Sequence, residues 1–171
     1  MIQQKFAVLS RINVAAGMAV LTLAAVLAPL LRVQLLTGTI VNACLVVALI
    51  TLGKKPALGV ALLPSTIAAI NGTLPLILAP LIPVIVIANA IFIEVFDFFR
   101  NRGFITAAIA SSSAKYAFLS LAGFFYLGFF ADPAISRGVS SVISYTQLAT
   151  ALLGCLAAYL AVRLYKSKSH A

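Results

Sequence analysis

Long apolar runs alternate along this chain with short clusters of Lys, Arg, Gly and Pro, and most of the runs are interrupted by one or two isolated polar residues. None shows the strict two-residue alternation over about ten residues that marks a membrane β-strand. Read as helices, the runs predict six segments, at 12–31, 37–52, 57–70, 83–99, 104–130 and 139–164. The second and third are short beside the roughly 20 residues of a full helical crossing. Between them, GKKP at 53–56 supplies a terminating Gly, two Lys near the carbonyl ends and a Pro at the next helix start, the punctuation of a helical hairpin. The stretch NGTLPLILAPLIP at 71–83 is apolar but carries Pro75, Pro80 and Pro83. Because proline removes a donor and clashes with the preceding turn, it predicts a broken lead-in that faces protein or a cavity rather than lipid.

Composition makes these segments membrane spans. With 63% hydrophobic and 9% charged residues among 171, the chain has far more apolar surface than a soluble domain of its length could bury. The expected fold is therefore all-α, a single compact bundle of six transmembrane helices covering 1–171. Lys5 and Arg11 ahead of the first run imitate a signal peptide, but the run is too long for an h-region and a cut after Ala28 would precede Pro29, so it reads as a retained span. Counting Lys and Arg on alternate sides gives nine on one (Lys5, Arg11, Lys54, Lys55, Arg100, Arg102, Arg163, Lys166, Lys168) and two on the other (Arg32, Arg137), with Lys115 inside a span. Short loops retain positive charge in the cytoplasm, so both termini are expected there, in a multi-pass protein of the plasma membrane. The net charge of +9 then follows from topology and not from nucleic-acid binding.

Cys44 and Cys155 lie within apolar runs and read as small packing residues, and a lone His170 leaves no metal-ligand cluster. No phosphate loop, Ser-His-Asp set or paired catalytic carboxylates occur, so neither an enzyme nor a cofactor is expected. Candidate chemistry lies in the isolated polar residues. TGTIVNA at 37–43 opens the second helix with Thr, Gly, Thr and Asn where an anchor would carry Leu and Val. Asn89, Lys115 beside Tyr116, and Gln147 interrupt later spans, and the six-span arrangement brings them to compatible depths in its outer half. An ionisable residue at mid-span costs at least about 2.5 kcal/mol, so Lys115 must face a cavity or a partner. It pairs with Glu94, snorkels, or donates to an anionic or carbonyl group of a ligand. Asn89 and Gln147 serve interhelical hydrogen bonds or recognise a polar ligand. Glu94 and Asp97, beside Arg100, read as helix-end ion pairs. In the first span, Ala15 with Ala19, and Ala24 with Ala28, recur at spacing four on one face, for packing within the chain or for docking a partner.

Six short-looped spans, the Ala15/Ala19 spacing, and the runs QLLTGTIVNA, LLPSTIAAINGTLPLILAPLIPVIVIANA, SSSAKYAFL and YTQLATALLG in that order resemble the substrate-binding S component of an energy-coupling factor (ECF) transporter, nearest to an uncharacterised bacterial branch. The resemblance implies a subunit that captures a vitamin-like micronutrient outside the cell and docks through its first helix, at Ala15 and Ala19, onto a transmembrane T component coupled to two cytoplasmic ATPases. The candidate substrate-binding set is Gln34, Thr37, Asn42, Asn89, Lys115, Tyr116 and Gln147. The alternative is a standalone permease or channel-like protein, with Lys115 and Glu94 as gate or relay.

Overall fold

The computed structural model describes residues 2–70, 81–129 and 144–169, and among these it contains helices and turns without strands. Among the described residues there are six α-helices: α1 Ile2–Leu27, α2 Gln34–Thr51, α3 Lys54–Ile70, α4 Ile82–Phe99, α5 Phe104–Phe129 and α6 Thr146–Ser169. Five of them, all but α3, are long and apolar enough to cross a membrane. The shorter α3 carries Pro64 inside it.

The boundaries depart from the hydropathy pattern where backbone chemistry overrides it. The basic lead-in ahead of residue 12 is helical, continuous with α1. At the other end of α1, Pro29 stands at the start of a tightened 3-10 turn, Ala28–Leu31, which closes at Arg32 in the left-handed region at φ 52°. Gln34, expected in the loop, is the first residue of α2 instead. The α2–α3 turn is tighter than GKKP suggests: Leu52 caps α2, Gly53 turns the chain at φ +96°, and Lys54 already begins α3. The two lysines thus occupy the first turn of α3, not the carbonyl end of α2. The proline-rich lead-in at 71–80 and the start of the sixth run at 139–143 lie outside the described residues.

Packing follows two themes. Helices α2 and α6 make the most extensive contact and α4 and α5 the next, with α5 also meeting α6. Small residues make the first of these possible. A Cβ on Gly38 would stand 2.8 Å from the Thr150 side chain, and one on Gly154 would stand 2.5 Å from Asn42 Cβ and 2.9 Å from the Ala43 backbone nitrogen. Position 38 meets 150 and position 42 meets 154, so α2 and α6 run parallel in one register. The core between the helices includes Leu45, Leu49, Phe92, Phe96 and Ala158, all essentially inaccessible.

Helix α1 leans on α3 and α2 through a different face from the alanine stripe. Ala25 and Ala28 are buried and Leu21 packs against the core, while Ala15, Ala19 and Ala24 are exposed. The expected pairing of Ala24 with Ala28 on one face is therefore corrected: the inner face runs through Leu21, Ala25 and Ala28 at spacings of four and three, and Ala24 falls outside it. At the α2–α3 end of the bundle Lys54 is ion-paired with Glu94 and lies 3.9 Å from Asp97, which is 3.1 Å from Arg100. The hydrogen bond to Glu94 is the main cause holding the Lys54 ammonium above its ordinary 10.5, with burial opposing it and the Glu94 and Asp97 charges adding to it. That contribution to stability is complete below pH 10.5 and fades as pH rises through the raised value. The groups are half-exposed, so the effect is small.

Two measurements follow from the seam between α2 and α6. Gly154→Ala should lower stability by about 1–3 kcal/mol, read as a fall in the thermal unfolding midpoint in detergent, because backbone atoms cannot yield to the added methyl. Gly38→Ala should cost less, since the Thr150 side chain can turn aside; an equal or reversed order would mean that the close approach at Asn42 is not what sets the seam.

Candidate functional site: a buried lysine between two asparagines

Helices α2, α4 and α5 each deliver one polar side chain to the same point. Lys115 Nζ donates to Asn42 Oδ1 at 2.6 Å and to Asn89 Oδ1 at 2.7 Å, and stands 5.3 Å from the centre of the Phe92 ring. All three polar residues are closed off, at 4%, 1% and 2% exposure for Lys115, Asn42 and Asn89. Their agreement in depth comes from helix arithmetic. Each lies about 13–17 Å along its axis from the end of the bundle that carries Gly53 and Gly103, at about 1.5 Å per residue. Phe92 reaches the same cation because it is one turn along α4 from Asn89 on the same face.

Among the described residues, the ammonium is stabilised by neutral groups alone. Two amide oxygens and a ring face compensate part of its desolvation. The chain has three acidic residues: Glu94 faces Lys54, Asp97 faces Arg100, and Asp132 lies outside the described residues. The alternative pairing of Lys115 with Glu94 is thereby overturned. Glu94 sits more than a turn nearer the helix end on an exposed face, where Lys54 reaches it first. With both Oδ1 atoms accepting from Lys115, the trio offers N–H groups to anything further. It is a donor-rich, positively charged point in an apolar interior, chemistry that suits a carboxylate, phosphate or strongly polar carbonyl.

Below Lys115 on α5 lie two buried serines. Ser111 Oγ donates back to the Ala108 carbonyl of its own helix at 3.3 Å. Ser112 sits beside the Cys155 thiol, and its hydroxyl makes no hydrogen bond of regular geometry. Cys155 lies within electrostatic reach of Lys115, an adjacency between α5 and α6 that no spacing in the sequence announces.

The remaining candidates fall elsewhere. Thr37 Oγ1 donates to the Ala28 carbonyl at 2.9 Å and ties the head of α2 to the end of α1. Gln147 is half-buried in the first turn of α6, and its backbone carbonyl accepts from Thr150 Oγ1 at 3.1 Å. By the α2–α6 register it stands beside the head of α2, near Gln34, about 10–12 Å above the trio at about 1.5 Å per residue. Tyr116 is half-buried, and being one residue beyond Lys115 it is turned about 100° around the helix, away from the trio. Gln34, Thr37 and Gln147 thus form an upper tier, while Asn42, Asn89 and Lys115 form a closed lower one. Segments 71–80 and 130–143 lie outside the described residues. Compared with protein families, with curated proteins and with solved structures, the chain matches none.

Asn42 and Lys115 should be energetically coupled. In a double-mutant cycle of Asn42→Leu and Lys115→Met, followed by unfolding in detergent, the expected coupling is about 0.5–3 kcal/mol. Removing the asparagine alone strands a buried cation, whereas removing both leaves an apolar contact. Strictly additive effects would show that the 2.6 Å hydrogen bond carries no energy.

Proposed function

We propose that this protein is a membrane-embedded substrate-capture subunit, the S component of an ECF-type importer, which binds a small micronutrient carrying an anionic or strongly polar group. The observation that carries the reading is Lys115, buried at mid-helix, held by Asn42 and Asn89, with no carboxylate opposite it among the described residues. Insertion of such a group is unfavourable by about 2.5–3.5 kcal/mol, and residues retained at that expense usually mark a substrate path. A ligand's negative group would supply the missing counter-charge. The upper tier of Gln34, Thr37 and Gln147 then lines the approach from outside.

Further support comes from direction and from what the bundle leaves uncovered. Parallel α2 and α6 enter the membrane from the same side, as six spans with both termini in the cytoplasm require. Ala15 and Ala19 remain exposed on α1, free for a T component that works with two ATPases. Five apolar helices support a multi-pass protein, here assigned to the plasma membrane. The role is one of binding, without catalysis or a cofactor. A standalone permease using Lys115 and Glu94 as a relay has less support, because Glu94 is engaged by Lys54.

Native mass spectrometry of the purified protein should reveal a retained small molecule, and coexpression with a T component and two ATPases should yield a stable complex. Lys115→Ala should weaken binding of the retained molecule at least tenfold, about 1.4 kcal/mol. Unchanged affinity would remove Lys115 from the site, and substrate uptake by the isolated protein without ATPases would favour the permease.

A further inference from the structure

Away from the lysine trio, a cavity of about 670 Å³ opens between α5 and α6 at the end of the bundle where α5 begins. Its walls are Ile105 and Ile109 on one side and Leu152 and Leu156 on the other, and its inner end reaches Ala108 and Cys155. All four wall residues are exposed. At the mouth the rings of Phe104 and Tyr159 meet across the two helices at 5.0 Å. Two arginines flank that pair. Arg102 lines the cavity and stacks on Phe99 at 5.1 Å and Phe98 at 6.0 Å, and Arg163 lies 5.8 Å from the centre of Tyr159.

We infer that this groove is a binding site for one anionic phospholipid, with its phosphate at Arg102 and Arg163 and an acyl chain lying between the α5 and α6 walls. The inference rests on the reading of the chain as a membrane protein, but not on the ligand assigned to Lys115. Charge decides the occupant. The lining contains an arginine and no acidic residue, and Glu94 and Asp97 are engaged by Lys54 and Arg100. The mouth therefore carries unbalanced positive charge where the apolar wall ends, and a basic pocket between spanning helices at that level selects an anionic headgroup. Stacking on rings fixes the guanidinium planes and leaves their N–H edges for phosphate oxygens. The open, aliphatic trough suits a flexible chain better than a polar solute.

The test is native mass spectrometry of the full chain in detergent with equal phosphatidylglycerol and phosphatidylcholine added. Wild type should retain phosphatidylglycerol at least threefold better. Arg102→Gln with Arg163→Gln should erase the preference, and Arg102→Lys with Arg163→Lys should largely keep it. Ile109→Trp, which fills the trough from an exposed position, should reduce retention of both lipids with the unfolding midpoint unchanged. Glycerol 3-phosphate, a headgroup without chains, should not compete at equal concentration. Equal retention of the two lipids by wild type, or a preference that survives loss of both arginines, would overturn the inference. Resistance of the chain to alkaline carbonate extraction from membranes tests the membrane reading separately.

Discussion

One ammonium group organises the interior. Lys115 has to be satisfied in a medium that offers it almost nothing, and the sequence meets that demand with two asparagines from other helices and a phenylalanine face. Three helices are thereby fixed in rotation as well as in distance. An apolar contact tolerates some turning about the helix axis, whereas two hydrogen bonds of 2.6 and 2.7 Å to a single nitrogen do not. The aliphatic core fills the space around that point, and the glycines of the α2–α6 seam let the fourth helix of the group close over Asn42.

The ion pairs at the Lys54 end and the buried lysine form two separate electrostatic regimes. Glu94 and Asp97 lie in the half-exposed collar with Lys54 and Arg100, where each charge finds an opposite one. Glu94 lies little more than one turn along α4 from Asn89, yet belongs to the collar. The separation preserves the asymmetry of the interior: if the carboxylate had reached Lys115, the cation would already be neutralised and would have little to offer a ligand.

Much of the helical plan was legible because apolar runs and Gly/Pro punctuation are local signals; Gly103 and Phe104 mark the start of α5 where the pattern puts it. Asn42, Asn89 and Lys115 were legible as a group, since an amide or ammonium in an apolar run is conspicuous and loop parity equates their depths. The ends were less so. Pro29 converts the close of α1 to a 3-10 turn, and Gly53 alone makes the α2–α3 connection, so hydropathy misplaced Gln34 and Lys54. Partner choice was harder still. Whether Lys115 meets Glu94 or Asn89 depends on which face of α4 is turned inward, and α4 is apolar nearly all round. The Gly154 contact with Asn42 depends on the register between α2 and α6, and the cavity beside Cys155 on how α5 meets α6, both of which only packing sets.

That register has a consequence for how the chain is made. Helix α2 emerges well before α6, yet Gly154 is what lies over Asn42 and Ala43. Until α6 arrives, Asn42 has its partner on α5 but lacks its cover at Gly154, and the lysine sits in a half-built enclosure. The enclosure of the lysine trio is thus complete only once α6 has packed on α2, a contact between segments far apart in the sequence.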